Sequence, residues 1–472
     1  MRIRREEITS FMLSLGLMHN QVSQVHERAQ VRWNYTEELL SAVFPDNVLL
    51  PSNPEYPDSI SKYFGSRARL NASAVFVPVS PEQVAIGVRI MEAFDRQFAV
   101  RGNGHTSHPG MAGIEDGVLF SLEKMDNIVL APSRKVVSLG AGNYWGRVYE
   151  TLESEGVAVT GGQLAPVGVS GLLTGNGLSN FLSSRGFSSA DVVNFEIVLS
   201  GGNIVNANAT HNEDLWWALK GGANNFGIVT RFDMNTFPLP DGIWSGTLSY
   251  DPSQASAVGE TFYNIQAGAL VEHPQIDPLW DAGPVSVNAS RKTLTDSATQ
   301  DVTPEFLASY TKRLVVNRAN LQVKANREVY RELAGLLSEH YQSSSISGHI
   351  LAVTWNSVTP HAIRESNRKG GNPGGWQEIS QNSINFRSIW DNATDDATAI
   401  EMDKDFMSKL EDVARKWDSL LPNQWMNNAA EDVDVIGSYG KENLKKLRLV
   451  SKTYDRRQTF QKLCSGGYKL NL

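Results

Sequence analysis

Residues 98–122 read FAVRGNGHTSHPGMAGIEDGVLFSL. Phe98, Ala99 and Val100 make a short apolar strand pattern. Arg101, Gly102, Asn103, Gly104 and His105 break it. Glycines at alternate positions let the backbone take φ > 0 and approach a ligand closely. A loop of this kind turns several N–H groups toward one anion, and Arg101 adds positive charge beside it. The pentapeptide therefore reads as a phosphate or pyrophosphate cradle ending in an imidazole. A glycine-rich turn with a surface histidine is the structural alternative, because short glycine motifs are weak signals.

Working outward, residues 74–77 (AVFV) are another strand pattern. Ser80 then serves as a helix cap, Pro81 suits the first helical position, and Gln83 completes a capping box. Val84, Val88 and Met91 follow at helical spacing. The unit is strand–helix–strand, so the glycine loop lies at a strand's C-terminal end, where α/β units bind ligands. Residues 135–139 are a further strand. Trp145, Val148, Tyr149 and Leu152 mark one helix face that stops at Gly156. The stretch 161–179 holds six glycines, at 161, 162, 168, 171, 175 and 177, too many for a stable helix. It suits backbone wrapped closely around a planar, phosphate-bearing group. G-x-G-x-x-G followed by an acidic residue at the right distance is missing, which disfavours a nicotinamide dinucleotide fold. Residues 192–199 and 204–206 read as a hairpin across a Ser-Gly-Gly-Asn turn. A short helix at 214–220 is stopped by Gly221 and Gly222. Asn224, Asn225 and Gly227 then lead into a strand.

The order RGNGHTSHPG, GVLFSL, GGQLAPVGVSGLLTGNGLS and ALKGGANNFGIVTRF resembles the FAD-linked oxidoreductases of the berberine-bridge-enzyme-like group, fungal type, with their PCMH-type (vanillyl-alcohol-oxidase-like) FAD domain. The resemblance spans about residues 43–240 and resumes near the C-terminus at WMNNA (425–429), GSYG (437–440) and GGYKL (466–470). It implies an α+β fold: a two-subdomain PCMH-type FAD-binding domain plus an α+β substrate domain. The division is 1–42 N-terminal extension, 43–240 FAD-binding domain, 241–421 substrate domain and 422–472 a segment returning to the FAD domain. Pro238, Pro240 and Gly242 mark the first change of character. In the second region a strand is expected at 244–250, helices at 304–310, 328–341 and 400–417, a strand at 349–355 and a loop at 367–376.

The resemblance implies FAD, joined covalently through His105. Arg101, Gly102, Asn103 and Gly104 would hold pyrophosphate. Gly168, Val169, Gly171, Leu172, Gly175 and Gly177 would line the flavin and phosphates. Gly222, Asn225, Gly227 and Ile228 would approach the adenosine end, and Asn427 would lie near the flavin. Leu164 falls where many plant members carry a second, cysteine link, so a single link through His105 is implied. Val167 falls on the position that gates oxygen, and valine there goes with oxidase behaviour; core packing is the plainer role. Asn103, Ser170 and Asn176 replace usual glycines. Ala190, beside Asp191, replaces a common aspartate, and Asn428 a common tyrosine. The implied reaction passes a hydride from a small-molecule substrate, a secondary-metabolite intermediate, to flavin N5, with O2 reoxidising the flavin. A carbohydrate or alcohol oxidase, a dehydrogenase, a flavin-holding non-redox cyclase and a binding protein that kept the fold are the alternatives. No catalytic base is identified by spacing.

Composition bounds the rest. Length 472, 41% hydrophobic and 20% charged residues describe an ordinary globular chain with room for two domains. A net charge of −8 argues against nucleic acid or an anionic membrane as partner. No run approaches the ~20 apolar residues of a membrane span. The single cysteine, Cys464, excludes an intrachain disulfide and a cysteine metal cluster, and the histidines show no metal spacing. Arg2, Arg4 and Arg5 before an apolar stretch resemble a weak leader. Glu6 and Glu7 interrupt it and no small-x-small site follows, so an amphipathic or frayed helix is the reading. Sequons at Asn34, Asn71, Asn208, Asn288 and Asn392 matter only on a secretory route, and the sequence leaves cytoplasmic and secretory locations both open.

Overall fold

The computed structural model describes residues 5–32, 35–239, 241–245, 255–270, 279–282, 290–299, 313–343, 346 and 348–471. The strand–helix–strand unit is present as Ala74–Phe76, Pro81–Phe94 and Phe98–Arg101. Ser80 accepts from the Gln83 amide (3.4 Å), while Gln83 reaches back to the Val79 amide (3.0 Å), one residue earlier than a capping box requires. Val118–Ser121 lies between the two strands and pairs parallel with both. These strands are buried on both faces, which is why they read as continuous apolar runs. Val84, Val88 and Met91 are fully buried. A side chain on Gly87 would meet the Phe76 and Phe120 rings, so the helix rests directly on the sheet.

The second sheet is antiparallel, in the order Ile128–Leu130, Val136–Gly140, Ile228–Asn235, Val192–Val198, Ile204–Asn208. The expected hairpin is its edge, turned at Gly201 (φ +75°) and Gly202 (φ +76°). The Trp145–Glu153 helix buries all four predicted residues. The N-terminal helices Arg5–Ser14 and His19–Arg32 dock on this domain, burying Ile8, Met12, Val22 and Val25 in its core. Val43 ends the Tyr35–Val43 helix, and the first strand starts at Val48. The glycine stretch holds one six-residue helix, Val169–Thr174, against expectation. Buried Val169 and Leu173 anchor it, and Gly168 and Gly175 flank it as caps.

The second region is a four-stranded antiparallel sheet in the order Leu279–Ala282, Ile350–Val358, Gln381–Trp390, Arg313–Lys324. Helices Arg327–Ser343 and Asp396–Lys416 pack on it and form a separate core around Trp355, Phe386 and Phe406. The two longest strands, Arg313–Lys324 and Gln381–Trp390, were absent from the sequence reading. Gln381, Asn382, Ser383 and Asn385 are polar yet buried, so the apolar period is masked. The helix expected at 304–310 lies outside the described residues, as does most of the 244–250 strand.

The C-terminal segment returns to the first sheet. Phe98 donates to Leu463 O (2.9 Å) and accepts from Ser465 N (2.7 Å), which closes the sheet's edge. The two regions are held together by Asp191, whose side chain is wholly buried. It accepts from Lys369 Nζ (2.7 Å), Arg185 Nε (3.2 Å) and Thr160 Oγ1 (3.1 Å). Removing one partner of a buried ion pair strands the other charge. Asp191→Ala should therefore lower unfolding stability by about 3 kcal/mol. Adding Lys369→Met should recover part of that loss, and chemical denaturation of both variants measures it.

Candidate functional site

The cradle begins where the Phe98–Arg101 strand ends. A side chain on Gly104 (φ +72°) would sit 2.3 Å from Lys62 O, and one on Gly102 2.8 Å from Ser170 Oγ. One on Gly168 would sit 2.7 Å from Asn103 Cβ. Asn103 donates to Pro166 O (2.8 Å). The loop 101–105 is thus packed closely against both the stretch 165–170 and Lys62. Arg101 is placed differently from the sequence reading. Its guanidinium turns into the domain, donating to Ser59 O (2.8 Å) and Ser121 Oγ (3.0 Å) over the Tyr63 ring. It pins the start of the loop rather than lining it with charge.

The glycine stretch is fastened from the C-terminal segment by Asn427. Its Oδ1 accepts from Gly177 N (3.0 Å) and Trp425 Nε1 (2.9 Å), and its Nδ2 donates to Gly171 O (2.8 Å). Asn176, at φ +81°, donates to Lys220 O (2.6 Å), which ties the third glycine-bearing stretch to the second. Within that third stretch Asn225 donates to Gly222 O (2.8 Å) and Tyr468 O (2.7 Å) and accepts from Gln461 (2.9 Å). Side chains on Gly222 and Gly227 would collide with Ala218 O and Val198 O. Ile228 opens a buried strand. Residues 101–105, 167–177 and 427 are brought together. Residues 222–228 join them through Lys220 and Asn176, with the Asn225 amide engaged by the C-terminal segment. Val167 and Leu172 are half-buried at the core's edge, and Gly171 is exposed.

His105 closes the cradle. Its ring stacks on Phe64 with centroids 4.3 Å apart and planes 11° apart. Burial pushes its pKa down to about 4, and the nearby charge of Arg387 adds to the shift. The ring is therefore neutral at physiological pH. Arg387 belongs to the Gln381–Trp390 strand. Alternate residues share a face of a strand. Ile384 and Phe386 enter the second core, so Gln381, Ser383, Asn385 and Arg387 share the other face. Register adds Gln322 and Asn356 opposite Ser383, and Thr354 opposite Asn385. Arg387, on that face, is the charge that adds to the His105 shift. His108, in the same loop, approaches Glu431 at 3.3 Å.

The sequence reading passed over two parts of this site. One is the polar sheet face, whose signal was the apolar alternation at Ile384 and Phe386. The other is segment 59–65, which floors the cradle and whose single glycine, Gly65, and single charge, Lys62, form no motif.

The residues present fit a polar, phosphate-bearing cofactor. A side chain on Gly374 would meet Asn176 Oδ1 (2.8 Å) and Trp376 Nε1 (2.6 Å), and one on Gly177 would meet Ser188 Oγ (3.0 Å). These three polar atoms are buried and hydrogen-bond to nothing among the described residues. Both side-chain atoms of buried Asn423 are in the same state. Buried polar groups are ordinarily satisfied, so such a set calls for a partner rich in donors and acceptors. Among the described residues no His, Cys, Asp and Glu cluster could hold a metal, and no helix is long and apolar enough to cross a membrane.

Comparison with known proteins agrees with this geometry. The FAD binding domain family matches residues 72–208. The chain is 32% identical to the FAD-dependent monooxygenase prx3 of Penicillium roqueforti, over 97% of each chain. It is 29% identical to the FAD-dependent monooxygenase sdcF of Emericella nidulans, over 92% of this chain and 97% of that one. Glucooligosaccharide oxidase from Acremonium strictum, with its 6-S-cysteinyl, 8α-N1-histidyl FAD, superposes with a TM-score of 0.72 at 17% identity. The match covers 92% of this chain and 98% of that one.

His105 gives a direct test of the site's burial. Ring-proton NMR should place its titration near pH 4 rather than near the ordinary 6.5. Between those values the unfolded chain binds a proton that the folded chain refuses. The contribution of His105 to stability should therefore be complete above about pH 6.5 and be lost as pH falls toward about 4. A midpoint near 6.5 would contradict the buried placement.

Proposed function

The chain belongs to the berberine-bridge-enzyme-like family of FAD-linked oxidoreductases, and from that membership we propose an oxygen-using oxidase that holds FAD covalently through His105 alone and acts on a secondary-metabolite intermediate. The observation that carries the reading is His105 itself: a neutral imidazole stacked on Phe64 at the end of a close-packed glycine loop. A neutral ring nitrogen keeps the lone pair that a nucleophile needs. Leu164, in the place of the cysteine link, has no atom for a second bond.

Bound FAD supplies the hydride acceptor, a chemistry no side chain offers. The protein's part is to bind, orient and exclude water. Gly102, Asn103 and Gly104 offer backbone amides to pyrophosphate. Val167, Gly168, Val169, Gly171, Leu172, Gly175 and Gly177 shape the wall along which a planar ring would lie, and Asn427 fixes that wall. Gly222, Asn225, Gly227 and Ile228 shape the adenosine end. Arg387, half-buried on the Gln381–Trp390 strand, brings a positive charge near His105 from the second region. Valine at 167 leaves room for O2 where a bulkier residue would not.

The names of two relatives favour a second reading, a monooxygenase. The two differ in where oxygen goes. An oxidase releases H2O2 in step with product and leaves no label from 18O2 in it. A monooxygenase places one labelled atom in the product. Attachment is read separately: flavin absorbance should stay with the acid-precipitated protein and pass to the supernatant in His105→Ala. Wild-type flavin released by acid would remove the covalent link and leave the flavoprotein reading in place.

A further inference from the structure

The floor of the cradle is the segment 59–65, which touches the glycine loop at both ends and in the middle. At the start, Ser59 takes the Arg101 guanidinium, which lies 5.0 Å over the Tyr63 ring. In the middle, Lys62 O fills the space where a Gly104 side chain would stand. At the end, Phe64 N donates to Gly104 O (3.0 Å) and the Phe64 ring lies flat on His105. Two consecutive aromatic residues therefore clamp the two ends of a five-residue loop. Tyr63 is itself fixed through its hydroxyl to Ala112 O (2.9 Å). Phe64 is 4% exposed, so its ring has little freedom to move.

We propose that Phe64 is the positioning residue for flavin attachment: its flat, immobile ring holds the His105 imidazole in the one plane from which a ring nitrogen reaches the flavin 8α-carbon. This rests on the covalent reading above. Attachment forms a bond between an imidazole nitrogen and the 8α-carbon. That carbon gives up one hydrogen and the imidazole nitrogen gives up its proton. The two electrons left on the flavin pass with two protons to O2, giving H2O2. Such a step is sensitive to geometry, because a nucleophile displaced by about 1 Å loses on the order of 100-fold in rate. A histidine side chain rotates about two bonds, and the backbone bond from Phe64 to Gly104 sets the loop but not the ring. Stacking constrains the ring, because offset face-to-face contact is favoured only while the planes stay near parallel.

The test uses the full chain, produced with limiting flavin and then incubated with FAD. Covalent flavin is followed in time by fluorescence of the denatured protein. Phe64→Leu, which keeps apolar bulk but loses the plane, should slow attachment about tenfold or more. Phe64→Tyr and Phe64→Trp, which keep a plane, should restore most of the rate. Phe64→Met serves the same purpose if Phe64→Leu does not fold. A purely structural role is separated by the His105→Ala background, where attachment cannot occur. There, adding Phe64→Leu should leave non-covalent FAD affinity within about threefold, since independent effects do not couple. The proposal is overturned if Phe64→Leu attaches flavin at the wild-type rate, or if it weakens FAD equally with and without His105. Wild-type protein that never attaches flavin would instead remove the covalent reading, and this proposal with it.

Discussion

The structure depends on how closely the glycine loop is packed. The loop 101–105 meets the stretch 165–170 at Gly102 and Gly168, where an added side chain would strike Ser170 Oγ and Asn103 Cβ, and meets segment 59–65 at Gly104. At Gly104 the obstacle is a carbonyl oxygen of the chain itself, Lys62 O, which cannot rotate away as a side chain can. Any residue other than glycine there would also have to hold φ +72°, which costs an L-residue roughly 1–2 kcal/mol. Everything else in the FAD-binding region holds that contact in place: the parallel sheet aims the loop, Arg101 and Tyr63 pin its start, and Asn427 secures the opposite wall.

The second constraint is the burial of polar atoms. The substrate sheet carries amides and hydroxyls on both faces. On the core side, Tyr330 donates to Gln266 (2.6 Å), and Gln266 Nε2 and Asn382 Nδ2 close the set on one another. On the other side, Gln322 donates to Ser383 Oγ (3.0 Å), and Arg387 approaches Thr354. Such buried hydrogen bonds fix the strands' side chains in place.

The junction between the regions is electrostatic. Lys220, fully buried, lies 3.3 Å over the Trp216 ring and donates to Lys369 O (2.8 Å). Burial lowers its pKa to about 7, although Asp191 pulls the other way. The loop after the Pro360–Arg368 helix is held on the first region by the Lys369 and Asp191 pair and by Asn443, which donates to Pro373 O (3.0 Å). Gly370, Gly371 and Gly375 all take positive φ there. This glycine loop is a fitted strap across the junction, which the composition of residues 367–376 did not disclose.

The sequence by itself determined the parts of this protein in which chemistry is local. Ser80 and Pro81 start a helix, Gly201 and Gly202 turn a hairpin, and the spacing of Trp145, Val148, Tyr149 and Leu152 buries one helix face, because each depends on neighbours within a few residues. The order of the glycine motifs likewise carried the family and the place of His105. Tertiary structure alone decided that Arg101 points inward, that segment 59–65 floors the cradle, and that Gln381–Trp390 is a strand with buried polar residues. Each of these rests on contacts between residues tens of positions apart, such as Arg101 with Ser59, Phe64 with Gly104, or Gln322 with Ser383. Local propensity has no access to such contacts: buried amides look like surface, and a buried arginine looks like a ligand's counter-charge, until the fold supplies their partners.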